Sequence, residues 1–231
     1  MPRLGDVERG YLGKLIAAAP KTLLGLADMR SYDWSAAPHD RLVRPIYYEG
    51  HVRQVDFSNS KADEGFEVRD TVFEECVFDK SIWWLMVFVK CRFLTCSFSD
   101  CRLYNSRFNG KFHDCSFKNL SARGEHFSFG WGSEYKRCNF ESVTLRNIAY
   151  NVGVRFEDCT ISGLFTNGRF HGRRYALRER FASVPDLLFS TFFRPAAFIR
   201  CDLSGLKTED VVFEKDIIFK DNTVGSQSLF S

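Results

Sequence analysis

From Thr71 to Phe117 a large apolar residue returns at every fifth position, through Phe73, Phe78, Trp83, Phe88, Phe93, Phe98, Leu103 and Phe108. Two positions ahead of each stands a mostly small residue: Thr71, Cys76, Ser81, Met86, Cys91, Cys96, Cys101 and Ser106. A helix repeats every ~3.6 residues and a strand every ~2, so this spacing fits neither an amphipathic helix nor a simple hairpin strand. A five-residue unit that turns two side chains inward and then rounds a corner closes after four units. That makes a square coil of about twenty residues.

Residues on one side of such a coil should recur near that interval. Cys76, Cys96, Cys115, Cys138 and Cys159 do so, at separations of 20, 19, 23 and 21, each followed two positions later by Phe78, Phe98, Phe117, Phe140 or Ile161. Cys201 and Leu203 continue the column after a gap of 42, one coil plus an insertion of similar length. A second column reads Phe73, Phe93, Phe112, Tyr135, Phe156, Phe198; a third Phe88, Phe108, Phe127, Tyr150; the fourth, less regular, Trp83, Leu103, Ala122, Leu145.

Over roughly 66–170 and 196–213 this pattern resembles the pentapeptide-repeat family, whose repeat places Ala, then Asp or Asn, then Leu ahead of two free positions. The resemblance implies an all-β solenoid, a right-handed quadrilateral parallel β-helix. Here Cys or Ser stands for Ala and Phe for Leu. The Asp or Asn position is often Arg92, Ser97, Arg102 or Val77. The chain therefore resembles a divergent member, and no specific activity carries over.

The 24 Phe in 231 residues are what stacked rings down a narrow axis require, each buried ring contributing roughly 1.5 to 3 kcal/mol before entropy. Net charge is +3, and the body from Phe66 to Thr166 carries 13 Lys and Arg against 12 Asp and Glu. No strong field points to nucleic acid or acidic ligands. All eight cysteines occupy the small inward position, so buried, reduced thiols are expected, with disulfides and a metal as the alternatives weighed. With no signal peptide and no apolar run of membrane length, a cytoplasmic protein without a membrane span is the expectation.

Residues 1–52 read as an N-terminal helical and irregular cap over the open coil end. Val7, Tyr11, Leu12, Leu15 and Ile16 are spaced for one short helix, and Pro20 for the start of another through Leu23, Leu24 and Leu26. Ser58 to Gly65 reads as a polar loop. The coil then occupies 53–231, interrupted at about 168–195 by a basic insertion in which Leu177 and Phe181 share a helical face and Ser183 with Asp186 suits a second helix start. Gly168 to Arg200 holds seven Arg against Glu179 and Asp186, the source of the net positive charge. Its apolar residues suit packing on the coil. Its arginines Arg169, Arg173, Arg174, Arg178 and Arg180 suit an acidic protein surface, with nucleic acid, or a membrane surface met by Phe181 and Leu188, as the other readings. Trp131, between glycines and out of the inward register, reads as a ring folded on the outer wall or as a partner anchor.

No catalytic constellation stands out, since His39, His51, His113, His126 and His171 lack ligand spacing and the adjacent carboxylates Glu74-Glu75 and Glu157-Asp158 suit solvated corners. The expectation is a non-enzymatic protein-interaction module, without cofactor, metal or small-molecule substrate, that modulates or neutralises a toxin or an enzyme. Two alternatives stand beside it. Some pentapeptide-repeat proteins protect DNA gyrase by imitating duplex DNA, which requires an acidic face; a β-helix enzyme requires a cleft between coil and insertion.

Overall fold

A computed structural model describes residues 6–37, 44–149, 151–172 and 194–225. Every rung pairs in parallel with the rung one coil on. The first side stacks Val52, Phe73, Phe93, Phe112, Tyr135, Phe156, Phe198 and Phe219 in one register. The second is joined by single bridges through Asp56, Val77, Ser97, Ser116 and Asn139. The third stacks Ala62, Trp83, Leu103, Ala122, Leu145 and Phe165. The fourth begins with Val68, Phe88 and Phe108. Period and fold agree because each side spends one residue of five on a corner.

The corners share one backbone state. Asp70, Glu75, Lys80, Leu85, Lys90, Thr95, Asp100 and Asn105 all have φ between 47° and 60°, the left-handed region that costs an L-residue roughly 1 to 2 kcal/mol. Inward burial offsets that strain. Phe73, Phe93, Phe112 and Tyr135 lie face to face, with centroids 5.0, 4.6 and 4.7 Å apart, and the second side does the same through Phe78, Phe98, Phe117 and Phe140 at 4.9, 5.1 and 4.4 Å. Rings from adjoining sides meet edge to face, as Phe73 and Phe78 do. Such contacts add about 0.5 to 1.5 kcal/mol per pair beyond their area.

All eight cysteines are free thiols and buried. The Sγ of Cys101 donates to the Phe78 carbonyl at 3.1 Å and that of Cys91 to Val68 at 3.3 Å. Burial pushes the Cys91 thiol up to about 12.

At the N-terminal end one helix, α1 (Tyr11–Ala18), buries Leu12, and its first amides, Leu12 and Gly13, donate to the Glu49 carboxylate at 3.2 Å each. Trp34 covers the aromatic disc, stacked on Phe66 at 4.9 Å with its indole N–H donated to Ser60 Oγ at 3.2 Å. The second short helix does not form. Thr22 takes the Leu26 N–H on its hydroxyl, Gly25 turns left-handed at φ 79° and Lys21 bridges Ala27 antiparallel, leaving Leu23 and Leu24 at the tip, 106% and 87% exposed. The local hydroxyl bond competes successfully with a helix here. Nor is 58–65 only a loop, since Lys61–Ala62 is a rung paired with Ile82 and Trp83.

The fourth column also differs from the expected one. Arg107 bridges Ser128, so Phe129 rather than Phe127 continues from Phe108. Two extra residues enter at Gly124–His126, where Asn105 Oδ1 accepts from the Glu125 and His126 amides at 2.7 and 3.3 Å, and they shift the register. The long interval from Cys115 to Cys138 is thus shared between this corner and the glycine loop after Phe129. The strand Thr160–His171 runs through the start of the expected insertion, and the coil resumes with Ala197–Ile199. The expected insertion helices lie outside the described residues.

Candidate functional site

The loop after Phe129 is rigidly tied. The Phe129 amide donates to Asn151 Oδ1 at 3.0 Å, its carbonyl accepts from Tyr135 Oη at 2.9 Å, and the Gly132 amide donates to the Val152 carbonyl at 2.9 Å. Gly130 has φ 86°, and a Cβ there would lie 2.0 Å from the Phe108 carbonyl oxygen, so no larger residue fits this approach. Between the two glycines Trp131 turns outward, 46% exposed.

Trp131 divides two hollows on the fourth side. One, of about 290 Å³, is lined by Arg107, Asn109 and Ser128. The other, of about 440 Å³, runs from Trp131 over Ile148, Val152 and Gly168 to Arg169 and Val212. Trp131 and Arg169, distant in sequence, therefore meet at one cleft. Its far end is ionic, lined by Arg169, His171 and Asp210, and the first two are tied to Glu214, which accepts from Arg169 at 3.2 Å and from the Gly172 amide at 3.1 Å and pairs with His171 Nδ1 at 3.1 Å. Burial works against the Glu214 charge, but His171, the Gly172 amide and Arg169 outweigh it and hold the carboxyl below its usual range.

Arg194, where the described chain resumes, reaches the same loop from the first side. It donates to the Gly153 and Gly132 carbonyls at 3.3 and 3.5 Å and to Glu134 at 3.1 Å. The basic excess is accordingly less open than the sequence suggests, since Arg169, Arg194 and Arg200 all pair with carboxylates, Arg200 with both Glu157 and Asp158. Arg173, Arg174, Arg178 and Arg180 lie outside the described residues. Glu74 and Glu75, the other adjacent carboxylates, pair with Arg53, and His51 bonds Glu74. Both acid pairs are thus structural corner groups here. Sequence reasoning missed Ile148 and Val212 as lining residues, and Arg194 and Glu214 as the groups that tie the loop and the ionic end in place. Their signal is register: Phe170 pairs with Phe213, which sets Glu214 beside His171.

Four sides of five residues, left-handed corners and wholly parallel rungs define a quadrilateral parallel β-helix. With the Cys/Ser-x-Phe repeat threaded through it, the chain has the fold that its resemblance to pentapeptide-repeat proteins implies. No protein-family model matches the chain, and no curated protein sequence does. Among solved structures it is similar to full-length QnrB1, a plasmid-mediated fluoroquinolone resistance protein, at 15% identity over 74% of this chain and 94% of that one, with a TM-score of 0.28. It is also similar to HetL of Nostoc sp. strain PCC 7120, a pentapeptide repeat protein involved in heterocyst differentiation regulation, at 10% identity over 93% of each chain and a TM-score of 0.29.

Proposed function

We propose that the chain is a non-enzymatic protein-binding module whose partner seats on the cleft between Trp131 and Arg169 and on the adjoining segment that carries Arg173, Arg174, Arg178 and Arg180. The observation that carries this reading is the convergence of Trp131 and Arg169 on one cleft. A half-exposed indole held on a rigid loop beside an apolar floor is the kind of anchor that dominates binding energy at protein interfaces. The gyrase-protector alternative would need a one-sided acidic face. The first side instead alternates charge through Lys111 with Glu134 and Lys136 with Glu157.

Affinity capture from the source cell tests the proposal, with wild type compared to Trp131→Ala/Arg169→Ala and to a variant in which Arg173, Arg174, Arg178 and Arg180 are Ala. A discrete protein held by wild type and lost from either variant is expected. A partner retained by both would move the site elsewhere on the coil.

A further inference from the structure

On the first side Arg53 and Arg155 pair with Glu74 and Glu157, whereas Arg92 is exposed and, among the described residues, has no carboxylate within ion-pair distance. On the third, Arg102, Arg123 and Arg146 are exposed and, among the described residues, none of them has a carboxylate within ion-pair distance. The outward positions of four successive rungs there are Ile82 and Trp84, Arg102 and Tyr104, Ser121 and Arg123, Thr144 and Arg146. No acid occurs among them. Asp100, the acid just before Arg102, sits at a corner and accepts from Asn119 at 3.0 Å.

The apolar part of this surface is also ordered. Trp84 and Tyr104 lie face to face, centroids 4.3 Å apart and planes within 6°, and Ile82, Trp84 and Leu85 are all exposed. The two rings spend a face on each other. What they offer a partner is mainly edge and aliphatic surface, which suits protein side chains better than stacked bases, for which a free ring face is needed.

We propose that the third side docks an acidic amphipathic helix of a protein partner, laid along the coil axis. Its apolar residues cover Ile82, Trp84, Leu85 and Tyr104, and its carboxylates face Arg102, Arg123 and Arg146. The repeats match: rungs rise about 4.8 Å and helix turns about 5.4 Å, so over four rungs the two drift apart by less than ~2 Å. Carboxylates four residues apart on one helix face thereby meet Arg123 and Arg146, which stack on successive rungs, with Arg102 one column to the side. The surface lies on a different side from the Trp131 cleft and does not depend on that reading.

Panning displayed libraries of helix-length random peptides on the full chain tests this. Selected peptides are expected to carry Asp or Glu at four-residue spacing opposite Leu, Phe or Trp. Their affinity should fall about tenfold or more in Arg123→Glu/Arg146→Glu and in Trp84→Ala, and stay unchanged in Trp131→Ala. All four positions are exposed, and circular dichroism confirms that each variant folds. A pool without acidic enrichment, or acidic peptides indifferent to the charge reversal, would overturn the proposal. So would oligothymidylate binding more tightly than the peptides and losing affinity on the same reversal, which would assign the surface to nucleic acid. Peptides lost in Trp131→Ala but not in the reversal would place them in the cleft instead.

Discussion

The coils from Phe66 to Phe117 and those from Ala122 to His171 use the same inward columns, yet they differ at their corners. In the first group one left-handed residue rounds each corner from Asp70 to Asn105, and every ring of the four columns turns inward. In the second, extra residues at Gly124–His126 and Gly130–Gly132 shift one register and turn one ring outward. A solenoid whose rungs hold themselves together can lengthen a corner without losing its stack. That is how this chain obtains a cleft from an otherwise uniform rod.

The largest expected effect lies in the regular coils. Phe93 is fully buried and stacked on both Phe73 and Phe112, so Phe93→Ala should lower unfolding stability by about 3 to 5 kcal/mol in a urea titration. A loss below ~1 kcal/mol would mean that the rungs' hydrogen bonds, and not the rings, hold the coil.

Next come the two glycines of the loop. Gly130→Ala drives a Cβ into the Phe108 carbonyl at positive φ and should cost roughly 2 to 3 kcal/mol, whereas Gly132→Ala, with φ 61° and nothing within 4 Å, should cost only about 1. Equal losses at the two positions would show that backbone strain, without the close approach, explains the loop's glycines.

The regular coils were readable from residue types because burial repeats there without interruption: Phe73, Phe93, Phe112 and Tyr135 sit in the register their spacing predicts. The corners were not. Lys80, Leu85 and Thr95 take left-handed backbone although none of them is a residue type that favours it, because tertiary pairing overrides local preference. Trp131 and Arg169 were visible as an odd aromatic and an odd charge. Their meeting at one cleft was hidden, since it depends on which residues of Ala122 to Phe129 are surplus, and composition does not say. The turn at Leu23-Leu24 was missed for a related reason: leucine spacing suits a helix, but the Thr22 hydroxyl and Gly25 close a tighter turn first.

A smaller effect should separate the ionic wall of the cleft from the apolar coils. The folded-state pKa of Glu214 lies below its ordinary value. Its contribution is therefore present above the unfolded carboxylate value of about 4.3 and is lost as pH falls through the lower folded value. Glu214→Gln should lower the melting temperature at pH 7 and flatten its decline between about pH 5 and 3. A parallel downward shift at every pH would assign the change to packing.

The smallest expected effect on folding is the most informative for function. Trp131 is the one large ring of its loop that turns away from the axis, 46% exposed, while the ties that hold the loop run through the backbone and through Asn151 and Tyr135. Trp131→Ala should therefore change stability by less than about 1 kcal/mol, against the several expected at Phe93. If urea unfolding instead shows a loss near that of Phe93→Ala, the indole is part of the coil's outer wall, and the cleft is a by-product of corner packing. If stability holds while a captured partner is lost, the outward ring serves contact more than folding.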